Sequence, residues 1–237
     1  MKKFIFLFIA LCLFSCNKSE KVFFANINEM DEGHLTSEQM KKRERELKES
    51  IRENKNILEQ KISTARNLAG YHRMLGKLYL DNKMFLLGAQ EFEEAIKIDT
   101  ENPVLYYYAG LCYARYAKSL VDETFQLTNL LLAEKYYLKA IEYNNNFAKA
   151  LYAVSVLYVF EFDQPDKAAF YLERLLQTQK RDAESMFLLA NAYIRLGLMD
   201  KAIAQYDNII KTSMSSVYKK QAEENKRQLL NSGYGRN

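Results

Sequence analysis

The chain has 237 residues and a formal net charge of +4, with 49% hydrophobic and 27% charged residues. That supplies enough apolar material for a buried core, and a charge too balanced for a nucleic-acid footprint. Only 8 Gly and 2 Pro are present, which argues against turn-rich sandwiches and barrels, while 2 His and 3 Cys leave little for a zinc or His-based catalytic site.

In chain order, Lys2 and Lys3 precede an unbroken apolar run over residues 4–14. Crossing ~30 Å of hydrocarbon takes ~20 residues, so the run is too short to span a membrane. A basic start followed by a short apolar run reads as a secretory signal over 1–15. The residues Leu13-Phe14-Ser15-Cys16 resemble a bacterial lipobox, with Phe14 in place of the usual small or branched residue. The resemblance implies that Cys16 is acylated and becomes the mature N-terminus. The protein would then be lipid-anchored in the bacterial cell envelope without spanning the bilayer. Cys12 leaves with the signal, and Cys112 remains alone in an apolar stretch, where a buried, inert thiol is expected.

Residues 16–35 mix polar side chains with Val22, Phe23 and Phe24 and show no period, as a flexible tether does. Thr36 and Gln39 form a capping box, with Leu35 and Met40 in the hydrophobic-staple positions. They predict a charged helix over 36–68. Leu47, Ile51, Leu58, Ile62 and Ala65 draw one narrow apolar stripe along it, interrupted by Asn54. Such a stripe suits a single neighbour, either the first repeat of the same chain or a partner copy.

A pattern then recurs. Leu75-Gly76 with Tyr79 is followed by Gly88, Phe92 and Ala95, and Ala109-Gly110 with Tyr113 by Ala133, Tyr137 and Ala140. Val154-Ser155 with Tyr158 is followed by Ala168, Leu172 and Leu175, and Leu189-Ala190 with Tyr193 by Ala202, Tyr206 and Ile209. A small residue lets two helix backbones approach, and a large one a turn further along the same face fills the groove beside it. A hairpin built this way cannot bury both of its faces alone, so successive hairpins must stack.

This pattern resembles the tetratricopeptide repeat, with units at 69–102, 103–147, 148–182 and 183–216. The resemblance implies an all-α, right-handed superhelix of about four helical hairpins, preceded by a long helix and closed by a capping helix and tail over 217–237. Gly197 suits the left-handed end of a helix, and Pro165 the first turn of the next. The third unit has an extra residue near Asp163-Gln164. The second has extra residues over 119–129, where Leu120, Val121, Phe125 and Leu127 make an apolar insertion. This segment is read either as an extended hairpin or as a protruding lip for a partner.

No catalytic constellation, cofactor site or metal site is found. His34 and His72 lack ligand-spaced companions, and no phosphate loop or nucleophile elbow occurs. The resemblance instead implies a concave groove lined by the first helix of each unit. Counting its usual positions gives Arg73 and Lys77, then Tyr107, Leu111 and Arg115, then Lys149, Tyr152, Val156 and Phe160, and finally Phe187, Asn191 and Arg195. Tyr107, Tyr108 and Ala153 do not match the carboxylate clamp of chaperone-binding members. The expected partner is an envelope protein or peptide segment with apolar and acidic residues, bound by a membrane-anchored scaffold. The alternative is a structural homo-oligomer assembled through the N-terminal helix or the 119–129 insertion.

Overall fold

In the computed structural model, residues 36–231 are described, and between turns they are α-helical. Among them run α1 (Ser37–Asp81), α2 (Phe85–Ile98), α3 (Pro103–Ala117), α4 (Glu123–Tyr143), α5 (Ala148–Phe160), α6 (Pro165–Thr178), α7 (Ala183–Arg195), α8 (Met199–Thr212) and α9 (Ser216–Asn231). Cys16 and the tether lie outside the described residues. None of the described helices is long and apolar enough to cross a membrane.

The chain divides into two units, Met1–Gln60 and Lys61–Asn237. The first holds the start of α1. The capping box forms there as the sequence predicts: the Thr36 amide donates to Gln39 Oε1 at 2.9 Å, and the Gln39 amide to Thr36 Oγ1 at 3.3 Å. Ion pairs one turn apart, Lys48 with Glu44 at 2.6 Å and Arg52 with Glu49 at 2.7 Å, support an exposed helix. Leu47, Ile51 and Leu58 are exposed along the stripe. Helix α1 passes residue 68 without a turn, so the expected division between a 36–68 helix and the first hairpin is not a helix break. Gly70 costs a helix only ~1 kcal/mol, and no Pro intervenes to end it.

In the second unit the helices pair in chain order, α1 with α2 through to α7 with α8. The small-and-large rule explains each pairing. A Cβ on Gly76 would sit 3.1 Å from the Phe92 ring and 3.2 Å from the Gly88 carbonyl oxygen. One on Gly110 would sit 2.8 Å from the Tyr137 ring and 3.1 Å from the Ala133 carbonyl oxygen. In the third hairpin, Ser155 Oγ donates to the Leu151 carbonyl at 2.8 Å and reaches the Ala168 carbonyl at 3.4 Å. In the fourth, Ala190 and Ala202 are both fully buried.

The recurring tyrosines hold equivalent seats between hairpins. Tyr113 donates its hydroxyl to Glu93 at 2.7 Å, Tyr158 to Glu134 at 2.7 Å, and Tyr193 to Glu173 at 2.6 Å. Each bond ties a first helix to the second helix of the hairpin before it. Tyr79 begins the series, with no earlier hairpin in the unit for its hydroxyl to reach. Its carbonyl ends its helix as those of Tyr158 and Tyr193 do, accepting from the Met84 amide at 2.9 Å, where Tyr193 accepts from Leu198 at 2.8 Å and Tyr158 from Gln164 at 2.8 Å. The residue before each of these donors has positive φ: Lys83 at 61°, Gly197 at 73° and Asp163 at 49°.

The insertion lengthens the second hairpin mainly in α4, which has 21 residues against 14 in α6. Asp122 caps it, accepting from the Thr124 and Phe125 amides at 2.9 and 3.0 Å. Helix α9 closes the stack, burying Ala222 and pairing Lys226 with Asp207 of α8 at 2.6 Å. The first helices also touch one another, α3 with α5 and α5 with α7. They therefore form the inner layer on which the candidate site lies.

Candidate functional site

A cavity of about 630 Å³ opens on the inner layer, between α3 and α5. Tyr107, Leu111, Ala114 and Arg115 enter it from α3, and Lys149, Tyr152, Ala153 and Val156 from α5. The spacing explains this geometry: positions three and four apart on a helix share a face, so the stripe turned away from the paired second helix is the one that lines the opening. Tyr137 of α4 and Leu175 of α6 form part of the floor. Lys118, Glu161, Gln179, Asp182 and Glu184 stand around it, from helix ends and turns.

The tyrosines are set firmly. Tyr107 packs edge-on against Phe147 with centroids 5.7 Å apart and against Tyr108 at 5.2 Å. Burial pushes its pKa up, its neighbour Tyr108 adds to this, and Arg115 partly offsets it. Tyr152 is likewise raised, first by burial and then by Glu184 and Asp182. Both are neutral phenols at any physiological pH. They offer a large apolar body and one polar tip, the combination that dominates interface energetics.

The charges of the cavity are unevenly satisfied. Glu161 pairs with Lys118 at 2.7 Å. Asp182 caps α7, and its Oδ2 accepts from the Ser185 hydroxyl at 2.6 Å. Glu184 accepts from the Tyr218 hydroxyl at 2.8 Å. Each carboxylate thus has a protein partner, whereas Arg115 and Lys149 make no ion pair among the described residues. The lining is apolar in its middle and carries two uncompensated cations.

A second cavity of about 550 Å³ lies next along the inner layer, between α1 and α3. It holds Arg73 and Lys77, with Lys77 bonded to Asp81. Met74, Leu78, Val104 and Tyr108 supply its apolar lining, and Met74 and Leu78 are exposed.

Of the twelve expected groove residues, Tyr107, Leu111, Arg115, Lys149, Tyr152 and Val156 meet in the central cavity, and Arg73 and Lys77 in its neighbour. The other four lie elsewhere. Phe187 packs between Tyr206 and Tyr218, at centroid distances of 6.1 and 6.0 Å, and so helps seat the closing helix. Phe160, in the last turn of α5, is exposed, with the Arg195 guanidinium 5.9 Å above its ring. Arg195 in turn donates to Asn191 at 3.1 Å and to Asp163 at 3.0 Å, forming a separate cluster at the helix ends. Counting positions along first helices missed Lys118, Glu161 and Asp182, which come from turns. Only Asp182 carried a readable signal, as an N-cap three residues before Ser185.

No metal-binding group of His, Cys, Asp or Glu occurs among the described residues. His72 Nδ1 lies 2.7 Å from Glu91 Oε2, a single pair between α1 and α2. Cys112 is buried, and burial pushes its thiol up to about 12, which keeps it protonated and unreactive.

Comparison with known proteins agrees with this architecture. The family model described as anaphase-promoting complex, cyclosome, subunit 3 matches residues 163–221. A protein of Borreliella burgdorferi described as TPR repeat-containing is 25% identical over 168 residues, covering 71% of this chain and 73% of its own. The crystal structure of MamA superposes with a TM-score of 0.53 at 19% identity, over 81% of this chain and 99% of MamA. YrrB, described as a TPR protein with an unusual peptide-binding site, superposes with a TM-score of 0.52 at 18% identity, over 74% and 88%. With four stacked hairpins whose small residues and tyrosines hold equivalent seats, the chain has the helical-hairpin fold of the tetratricopeptide-repeat proteins it resembles.

Proposed function

We propose that this protein is a lipid-anchored scaffold of the bacterial cell envelope, which binds a segment of another envelope protein in its inner groove. The observation that carries the reading is the central cavity. Its apolar middle is rimmed by carboxylates that already have partners and by two cations, Arg115 and Lys149, that make no ion pair among the described residues. A segment with apolar anchors and carboxylates complements that surface in both shape and charge. The peptide-binding site described for YrrB supports the same use of the fold. Nothing in the groove resembles a nucleophile with its base or a convergent acid–base pair, so binding and not catalysis is the activity proposed.

Affinity capture with the full chain tests the groove. Arg115→Glu together with Lys149→Glu reverses both free charges without touching the core, and is expected to weaken partner recovery at least tenfold, about 1.4 kcal/mol. Equal recovery contradicts the reading. Anchoring at Cys16 rests on the lipobox-like residues and the signal before them. It predicts palmitate incorporation that Cys16→Ala abolishes; no label on the wild-type chain, or label that survives the substitution, contradicts it.

A second reading is a structural homo-oligomer. Exposure of Leu47, Ile51 and Leu58 on α1, and of Val121 and Phe125 at the insertion, favours it. Light scattering that returns a monomer at every concentration removes it.

A further inference from the structure

The first unit carries a face that groove binding does not use. There α1 presents Met40, Leu47, Ile51 and Leu58 on one stripe, with Ile51 66% exposed and Leu58 57%. The spacings follow a heptad. Met40, Leu47 and Asn54 take d positions, and Glu44, Ile51 and Leu58 take a positions. This is the seam of a coiled coil without its second strand. Asn54 is the one amide on it, the kind of residue that fixes register at a cost in stability.

The rows beside the seam specify the missing strand. The e row is Lys41, Lys48 and Lys55, one heptad apart, and the g row is Arg43, Ser50 and Ile57. Neither row holds an acid. Glu46, Glu49 and Glu53 lie on the rows away from the seam, and Glu44 lies within it, paired with Lys48 at 2.6 Å. Arg43 meets Glu46 only at 3.8 Å, and Lys41 and Lys55 make no ion pair among the described residues. Exposure alone would suit a second copy of the chain, but these rows do not. Parallel copies would bring Arg43 towards Lys48, and antiparallel copies would bring lysines together. So short a seam has little apolar contact with which to offset like charges. A helix with Leu and Ile on its own seam and Glu or Asp on its flanking rows complements both features at once. We propose that residues 40–58 of α1 dock an acidic amphipathic helix of a partner protein as a two-stranded coiled coil. The proposal stands apart from the groove, whose residues it does not use. Exposed ion pairs add little singly, and Lys48 must leave Glu44 to meet a partner. The seam therefore supplies most of the affinity, and the lysine row chooses the partner.

The test uses the full chain on phosphatidylcholine vesicles and two fluorescein-labelled designed peptides of three heptads. Both carry Ile at a and Leu at d; one has Glu at e and g, and its twin has Lys. Fluorescence anisotropy is expected to show saturable binding of the acidic peptide, with the basic twin at least tenfold weaker. Lys41→Glu, Lys48→Glu and Lys55→Glu together are expected to weaken the acidic peptide at least tenfold and to strengthen the twin, a reversal that loss of structure cannot produce. Ile51→Asp with Leu58→Asp is expected to abolish binding of the acidic peptide, with an unchanged helical circular dichroism spectrum. Arg115→Glu with Lys149→Glu is expected to leave it bound as before. Absence of saturable binding overturns the proposal, as does equal binding of the twin or indifference to the lysine reversals. Binding that survives the lysine reversals and is lost with the groove reversals overturns it and leaves the groove reading standing. Light scattering in detergent that shows a wild-type dimer, dissolved by Ile51→Asp with Leu58→Asp, makes a second copy the occupant and overturns it. The chain has no Trp, so Ile51→Trp places a sole indole on the seam. Its quenching by brominated phosphatidylcholine, in vesicles that also hold phosphatidylglycerol, makes a lipid surface the occupant and overturns it likewise.

Discussion

Glycines at the helix crossings show how much depends on single atoms. At Gly110 a methyl group would meet the Tyr137 ring at 2.8 Å and a backbone carbonyl at 3.1 Å, so the helices must part to admit it. At Gly70, also in a helix, nothing stands within 4 Å. Gly110→Ala is therefore expected to destabilise the protein by about 2 kcal/mol. Gly70→Ala is expected to stabilise it by up to ~1 kcal/mol, through helix propensity alone. Urea unfolding of the pair checks this; equal effects would contradict the close crossing. The tyrosine seats make a second prediction at this scale. Burial first, then the Glu93 carboxylate, raises the pKa of Tyr113 and Tyr136, and the same causes act on Tyr158 through Glu134 and on Tyr193 through Glu173. A phenol whose folded pKa lies above its unfolded value stabilises fully below the unfolded value, ~10, and loses that contribution as pH climbs towards the folded one. The melting temperature should hold from pH 8 to about 9.5 and fall steeply above pH 10; a flat profile to pH 12 would contradict the buried seats.

At the scale of elements, what the sequence made legible was chemistry that acts locally. The Thr36–Gln39 capping box, Pro165 opening α6 and Gly197 at the left-handed end of α7 were all readable, because each satisfies a backbone requirement within a turn. Lys83 was not readable. Its φ of 61° is imposed by closure of the α1–α2 hairpin and not by its own preference. Lys83→Gly should accordingly relieve about 1 kcal/mol of backbone strain, seen as a higher urea midpoint with an unchanged slope; a lower midpoint would contradict it. The unbroken α1 was hidden for the opposite reason. A repeat boundary inside a continuous helix leaves no cap, Gly cluster or Pro to mark it. The insertion was ambiguous because Leu120, Val121, Phe125 and Leu127 fit a helix or an apolar loop equally well. The structure divides them: Leu120 and Val121 lie in the turn before α4, and Phe125 and Leu127 in its first turns, exposed.

Across the whole second unit, the repeat was readable because every hairpin solves the same packing problem with the same small and large residues. The site was readable only in part. Positions counted along an ideal first helix gave residues that line one cavity in its apolar middle, since that face is fixed by the one buried against the second helix. The count failed at Phe160 and Arg195, which fall in the last turns of their helices and pair with each other beside Asp163. It failed at Phe187, where the closing helix brings Tyr218 over the ring. Partners supplied by a later element have no mark in the earlier one. The functional account therefore rests on the inner face between α3 and α5, and it is tested by photo-crosslinking in living cells from two positions. One crosslinker replaces Tyr152 in the central cavity, and the other replaces Phe170, an exposed aromatic on α6. Discrete protein adducts from position 152 that vanish with Arg115→Glu and Lys149→Glu, against few from position 170, are the predicted result. Equal adducts from both positions, or adducts from 152 that survive the charge reversals, would contradict it.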